Sequence, residues 1–345
     1  MAEQAGYRVR EWGVEPRWER FPIPTAERGE VLIEVEACGV GLTVLNCING
    51  DLGDDPRLLP RVPGHELAGR VAEVGDGVDP TLVGRRVVAY FYLCCGHCES
   101  CRLGREQRCP NLAGFVGVHR DGGYAPWTVL PEVNVIPVPE ELDSLAATVV
   151  PDAVATPVHI ADRAESVPGD RVVVLGAGGG VGMHMIQVAR HRGALVAGLD
   201  ITEPKLAAIE RLGALPVRSE DVGELDPDLF GGDRPTVVID LLGTPATATW
   251  ALSALGVGGR LVALTTFPGR PAIFEARDLV FRELAILGSR YSHRAQVVEA
   301  ARLVSEGEVV PIIGEVTGPD GIPALHQKIR SGQLVGRGAL DWRMS

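Results

Sequence analysis

Arg171-Val-Val-Val-Leu-Gly-Ala-Gly-Gly-Gly-Val-Gly182, then helix-spaced apolar residues to Arg192, then Ala194-Leu-Val-Ala-Gly-Leu-Asp200, is the stretch that decides the fold. A short apolar run closed by glycines reads as a buried strand. The glycines permit a tight turn and let the backbone approach a pyrophosphate seated on the N-terminus of the helix that follows. Asp200 ends the next strand, where a carboxylate hydrogen-bonds adenosine ribose hydroxyls and repels a 2′-phosphate. Ile201 and Thr202 come next, with no arginine beside the acid, so NAD is expected ahead of NADP. A flexible glycine loop near a surface aspartate is the plainer alternative. The strand before the turn and the helix after it speak against that.

The same alternation continues outward. Thr236–Asp240, Gly259–Thr265 and Leu284–Gly288 read as further strands separated by helix-like segments. Strand–helix alternation implies a doubly wound parallel sheet covered on both faces. An α/β Rossmann domain is therefore expected over 151–290. Earlier, Glu30–Ala37 alternates polar and apolar as a half-buried strand does, and strand-like runs from Arg70 and Arg86 follow between glycine-rich turns. This part is β-rich to about residue 150. After about 290 come a helix, Arg294–Ser305, and a strand, Leu334–Leu340.

Cys95-Gly-His-Cys98-Glu-Ser-Cys101-Arg-Leu-Gly-Arg-Glu-Gln-Arg-Cys109 has the spacing C-x2-C-x2-C-x7-C. Four thiolates so spaced can close a tetrahedron around Zn²⁺ with no open position, which is a structural zinc site. A disulfide cluster is the alternative, but the segment is polar and nothing suggests a secretory context. Cys38 and Cys47 read as buried thiols and Cys94 as a neighbour of the zinc loop.

The whole composition is consistent with this. The chain has 345 residues, 46% of them hydrophobic, enough for about two cores. Its net charge of −12, with no basic stripe, excludes nucleic acid as the expected partner. The opening Met1-Ala-Glu-Gln-Ala-Gly-Tyr-Arg lacks a signal core, and no apolar run reads as long enough to span a membrane. Seven cysteines, four in one metal-like cluster, fit a reducing cytoplasm.

Together, Gly64-His65-Glu66, the four-cysteine loop, Gly176 to Gly182, Lys205-Leu after Asp200, Gly258-Gly259-Arg260 and Gly336-Arg337 resemble the zinc-containing medium-chain dehydrogenase/reductase family, the alcohol-dehydrogenase-like enzymes. The resemblance covers nearly the whole chain. It implies a GroES-like catalytic domain built from 1–150 and 291–345 around the Rossmann domain. It also implies a small-molecule substrate and a homodimer or homotetramer. Cofactor contacts are expected from Thr156, Gly176, Gly179, Gly180, Val181, Gly182, Asp200, Lys205 and Arg337.

In that family a Cys, a His and a second Cys or Asp hold a catalytic Zn²⁺, with a Glu close by, and an open position binds the substrate oxygen. His65, Glu66 and Asp152 match. The first ligand does not. Gly39-Val40-Gly41-Leu42-Thr43-Val44 stands where Gly-Val-Cys-His-Thr-Asp is usual, so Gly41 replaces the thiolate and Val44 its supporting acid. Thr43 is retained at the proton-relay position. Three outcomes are open: zinc held by His65, Glu66 and Asp152; no catalytic metal and a polar network in its place; or Cys38 or Cys47 swinging in. The second is the expectation adopted. Leu42, Phe91, Phe115, Leu241 and Tyr291 are candidate pocket residues. The expected function is NAD(H)-dependent hydride transfer between an alcohol and its carbonyl compound. Zinc-independent reduction of an activated C=C bond and a silent NAD-binding protein are the alternatives.

Overall fold

A computed structural model describes residues 2–265 and 271–344. The chain forms two compact units, Met1–Ala155 with Ser292–Gly307 and Ile313–Ser345, and Thr156–Tyr291 with Glu308–Ile312. Three stretches differ from the sequence expectation. Residues 151–155, including Asp152, lie in the first unit, whereas Tyr291 and 308–312 belong to the second.

The first unit begins with a hairpin of β1 (Glu3–Arg8) and β2 (Arg17–Pro22). Its spine is β3 (Glu30–Val40), where Val31, Ile33 and Val35 point into the core and burial becomes continuous from Ala37 to Val40. α1 (Leu42–Asn49) starts immediately after Gly41 and ends on Gly50, whose φ of 88° is the left-handed cap that glycine adopts most easily. β4 (Glu66–Val74) runs back along β3, pairing Glu66 with Gly39 and Leu67 with Cys38. β5 (Arg86–Ala89) follows, then the cysteine loop with its one-turn α2 (Glu99–Arg102), β6 (Trp127–Pro131) and β7 (Val135–Pro137). α3 (Ser144–Ala147) and a wide helical turn at Val150–Val154 close this stretch, and α4 (Ala155–Arg163) opens the second unit from Thr156 on. The wide turn is marked by Val154 N–H bonding the carbonyl of Val149, five residues back, at 2.9 Å. Contrary to the sequence reading, Ser144–Arg163 does have the length and mean hydropathy, 1.2, of a membrane crossing. With 89% of that window buried inside the protein, it has the burial of a core helix.

The second unit is a six-stranded parallel sheet of β8 (Arg171–Leu175), β9 (Leu195–Asp200), β10 (Leu215–Arg218), β11 (Val237–Asp240), β12 (Arg260–Ala263) and β13 (Ala285–Gly288). Their spatial order, β10-β9-β8-β11-β12-β13, is the Rossmann order. Between them lie α5 (Gly180–His191), α6 (Glu203–Arg211), α7 (Pro245–Ala254) and α8 (Ala276–Phe281). β10 escaped the sequence reading because it is a four-residue edge strand carrying Pro216, with no fully buried residue.

The chain returns to the first unit as α9 (Arg294–Ser305), β14 (Ile313–Thr317), α10 (Ile322–Arg330) and β15 (Arg337–Asp341). Its sheet then has the order β14-β15-β3-β4-β5-β7, with β6 also on β3. β15 is antiparallel to β3 and pairs Gly338 with Val40, so Arg337 enters the sheet beside the end of β3.

Asp170, just before β8, knits the bottom of the second sheet. Its Oδ1 accepts from Thr236 Oγ1 and Arg260 Nη2, both at 2.6 Å, and its Oδ2 from the Val167 N–H at 3.0 Å. The carboxylate is buried, so its removal takes the ion pair from a partly buried guanidinium and the shortest acceptor from the Thr236 hydroxyl. Asp170→Ala is expected to destabilise the second unit by about 2–4 kcal/mol in denaturant unfolding. A loss below about 1 kcal/mol would show that the hub is dispensable.

Candidate active site

Three strand ends and one helical turn meet in the first unit. The end of β3 brings Gly39 and Gly41, the start of β4 brings Glu66 with His65 before it, the start of β15 brings Arg337, and the wide turn brings Asp152. His65, Glu66, Asp152 and Arg337 are 1%, 0%, 3% and 5% exposed. Ionisable groups this deep require partners. Arg337 supplies them: Nε donates to Glu66 Oε2 at 2.8 Å, Nη2 to Asp152 Oδ2 at 2.9 Å, and Nη2 also to Glu66 Oε1. His65 Nε2 lies 3.5 Å from Asp152 Oδ2 and 3.9 Å from Glu66 Oε1. The Phe91 ring packs on the His65 ring at 4.7 Å between centroids and stacks on Phe115 at 5.0 Å.

Space is tight around two glycines here. A Cβ on Gly39 would come within 2.9 Å of the Glu66 Cβ, so the glycine leaves room for that carboxyl. A Cβ on Gly41 would overlap the Arg337 guanidinium carbon and Nη1 and lie 2.7 Å from Nε. Burial works against the charge on Arg337, yet Glu66 and Asp152 outweigh it, and its pKa rises above the ordinary arginine value. Burial pushes the Glu66 carboxyl up, Arg337 pulls it back, and Asp152 pushes it up again, leaving it above the usual carboxylate range. One guanidinium thus serves two carboxyls.

The ligand atoms of His65, Glu66 and Asp152 lie within 4.8 Å of one another, close enough to converge on a metal. The guanidinium, however, already binds both carboxyls, and Gly41 offers no donor. As arranged, these residues do not fit a second zinc. Cys38 and Cys47 are fully buried, and burial raises both thiols well above the ordinary cysteine value, so neither presents a thiolate. Thr43 is half-buried in the first turn of α1. Leu42, beside it, is exposed, and Leu241 and Tyr291 belong to the second unit.

The cysteine loop fits its metal. Sulfur–sulfur separations are 3.6 Å for Cys95–Cys109, 3.8 Å for Cys98–Cys109 and 4.0 Å for Cys95–Cys101. A tetrahedron of sulfurs about 2.3 Å from zinc has edges of about 3.8 Å. Backbone N–H groups of Cys98 and Cys101 point at the sulfurs of Cys95 and Cys98 at 3.4 and 3.5 Å. The Cys95 thiol is drawn down to about 6, chiefly by the His97 backbone N–H, which favours the thiolate. All seven cysteines are free of disulfides.

In the second unit, Gly176 leaves β8 with φ 78°, the left-handed region, and Gly179 caps α5. A Cβ on Gly182 would lie 2.6 Å from the carbonyl oxygens of Gly176 and Ala177, so helix and turn pack as closely as a glycine allows. Around Gly179, among the described residues, the only neighbour of an added Cβ is the Gly176 oxygen at 3.7 Å, which leaves the turn open beside the amides of Gly180 and Val181. Asp200 is held at the same corner: Oδ2 accepts from Gly178 N–H and Oδ1 from Ile201 N–H, both at 2.9 Å, and Lys205 Nζ lies 3.6 Å from Oδ1. These residues fit a dinucleotide. Thr156 is buried in α4 of this unit. Arg337 lies in the first unit, where its guanidinium meets Glu66 and Asp152.

Comparison with known proteins agrees with both units. Residues 27–140 match the alcohol dehydrogenase GroES-like domain, and 180–306 match the zinc-binding dehydrogenase domain. An alcohol dehydrogenase from Geobacillus stearothermophilus is 32% identical over 318 residues, 91% of this chain and 92% of that protein. The chain belongs to the zinc-type medium-chain dehydrogenase/reductase family. An acryloyl-coenzyme A reductase from Metallosphaera sedula is 29% identical over 94% of this chain and 95% of its own length. The cobalt- and zinc-bound alcohol dehydrogenase of Pyrobaculum aerophilum superposes with a TM-score of 0.88 at 28% identity, covering 99% of this chain and all of that one. Within this family of oxidoreductases, the present chain keeps the four-cysteine loop and carries glycine at the first position of the Cys-His-Asp ligand set.

The cysteine loop should bind its zinc as part of folding. Cys101→Ser is expected to lose that ion in elemental analysis and to lower the Tm by several degrees, on the order of 5 °C or more. Full zinc content with an unchanged Tm would contradict the assignment.

Proposed function

We propose that this oxidoreductase uses NAD(H) and transfers hydride between the nicotinamide and a small carbonyl-containing molecule without a catalytic metal. The observation that carries this reading is the Arg337 guanidinium seated between Glu66 and Asp152. Cofactor choice rests on Asp200, whose carboxylate suits ribose hydroxyls and opposes a 2′-phosphate, with Lys205 beside it. The nicotinamide, when bound, supplies or accepts the hydride. The chain supplies the rest. Thr43 relays a proton to or from the substrate oxygen, His65 and the two acids hold the polar wall, and Phe91 and Phe115 supply apolar surface beside it.

Carbonyl–alcohol exchange is the leading reaction. Reduction of an activated C=C bond is the second, favoured by a fixed cation that stabilises negative charge on an oxygen without giving up a proton. The likeness to an acryloyl-coenzyme A reductase supports it as well. A silent NAD-binding role fits poorly with retention of Thr43, His65, Glu66 and Asp152. The free thiols support a cytoplasmic setting. A homodimer or homotetramer is supported by the edge strand β13, where Ile286 is exposed, and by exposed Val280 and Phe281 on α8.

NADH oxidation over a panel of ketones, aldehydes and enones tests the reaction. Turnover with at least one of these classes is expected, and NADH binding without any turnover would point to the silent alternative. NADH should bind at least about tenfold tighter than NADPH, and Asp200→Ala should narrow that ratio. Equal or tighter NADPH binding by the unmodified chain would overturn the cofactor assignment.

A further inference from the structure

We propose that His326 is a positioning residue for the candidate active site. It acts through Tyr124, whose ring is seated against Gly64, the residue that leads into His65 and Glu66. The catalytic half of this inference rests on the function proposed above. The positioning half stands on the first unit alone.

His326 lies in α10 with no exposed surface, as does Tyr124 in the loop before β6. A buried imidazole calls for partners on both nitrogens, and both are present. Nδ1 lies 3.0 Å from Glu15 Oε2, in the turn between β1 and β2, and Nε2 lies 2.9 Å from the Tyr124 hydroxyl. A carboxylate only accepts, so these partners assign the ring proton to Nδ1, and Nε2 accepts from the Tyr124 O–H. Charge agrees. Burial lowers the imidazole's pKa, Glu15 pulls it back and Arg330 lowers it again, leaving it below the ordinary histidine value. The ring is therefore neutral at pH 7 and keeps its lone pair for the hydroxyl. Burial would raise the Glu15 carboxyl, but His326 and Arg330 outweigh it and leave it below the usual carboxylate range. Burial pushes the Tyr124 phenol well up, with Cys38, Glu66, Glu15 and Tyr7 adding to it, so the phenol keeps the proton it donates.

This line of contacts ends at the site. The Tyr124 ring fills the space beside Gly64, where a Cβ would lie 2.6 Å from Cδ1 and 3.1 Å from Cε1. The same segment is fixed by backbone: Gly123 N–H donates to the Gly64 carbonyl at 2.8 Å and Tyr124 N–H to the Pro63 carbonyl at 3.0 Å. The hydroxyl bond fixes the far end of the ring, and with it the press of the near edge on Gly64. An apolar side chain in α10 would fill the place of His326 without burying a polar ring. The imidazole instead gives the hydroxyl an acceptor at one defined point, which an apolar side chain cannot do. Displacement of Gly64 is passed directly to His65, whose Nε2 lies 3.5 Å from Asp152 Oδ2. A misplacement of about 1 Å at reacting groups costs about 100-fold in rate, so a smaller shift is expected to cost about tenfold.

Three variants test this. His326→Leu removes the acceptor and Tyr124→Phe removes the donor. His326→Gln restores both roles, with its amide oxygen toward Tyr124 and its NH2 toward Glu15. The first readout is the Gly64 amide resonance in protein labelled with ¹⁵N-glycine, which needs no substrate. It should move in His326→Leu and Tyr124→Phe and return toward its original position in His326→Gln. Tyr124→Phe removes a single oxygen, so it remains informative if His326→Leu folds poorly. An unmoved Gly64 resonance in Tyr124→Phe overturns the proposal. So does a shift in His326→Gln as large as in His326→Leu, which would mark a packing effect alone.

The second readout is kinetic, on the best substrate of the panel. In His326→Leu and Tyr124→Phe, kcat should fall about tenfold while KM and the NADH Kd stay within about threefold, and His326→Gln should recover most of the loss. Unchanged kcat, or a loss confined to KM or NADH affinity, would overturn the catalytic half. Should the unmodified chain turn over nothing on the panel, the functional reading falls, and the Gly64 resonance still decides whether His326 positions the segment.

Discussion

Everything around the candidate active site depends on one buried charge arrangement, a single guanidinium shared by two carboxyls. Glu66 and Asp152 are almost wholly removed from water. Isolated there, each would bind a proton or drive local unfolding. Arg337 lets them coexist and is itself kept charged by them. Breaking such a pair from one side costs about 3–5 kcal/mol, because the remaining charges stay buried. The net gain over an apolar core is smaller, so the retention of three ionisable side chains together with His65 argues for chemistry more than for stability.

Backbone register makes this arrangement possible. β3 is flanked by β4 and β15, and the pairs Gly39–Glu66 and Val40–Gly338 bring an acid and an arginine to the same strand end from opposite sides. Both then pass close over β3, where a Cβ would press on them as they stand. Gly39 accommodates the carboxyl and Gly41 the guanidinium. Val44, where the family carries the supporting acid, is fully buried in α1.

Much of this was legible in the sequence where a motif fixes local geometry. The glycine turn, its flanking strands and Asp200 predict the Rossmann unit, and the cysteine spacing predicts the thiolate tetrahedron, since both are local in the chain. The four active-site candidates were legible through the family resemblance, and the mismatch at Gly41 marked where the site departs from it. What could not be read was the pairing of Arg337 with the two acids. Arg337 lies 296 positions beyond Gly41, and nothing local in Gly336-Arg337 says that the side chain turns toward Glu66. One signal was available: two buried acids and a missing metal ligand demand a cation from elsewhere. β10 was missed for a different reason, because a short exposed edge strand carries no periodic pattern. The return of 308–312 to the second unit is likewise a matter of tertiary packing that composition does not announce.

The central claim is that a guanidinium, and not a metal, holds Glu66 and Asp152. Anomalous scattering from crystals of the unmodified protein, grown with zinc and measured on both sides of the zinc absorption edge, tests it most directly. The account predicts one peak per chain, among Cys95, Cys98, Cys101 and Cys109, with guanidinium density between Glu66 and Asp152 beside Gly41. A second full-strength peak coordinated by His65, Glu66 and Asp152, with Arg337 turned away, would contradict it.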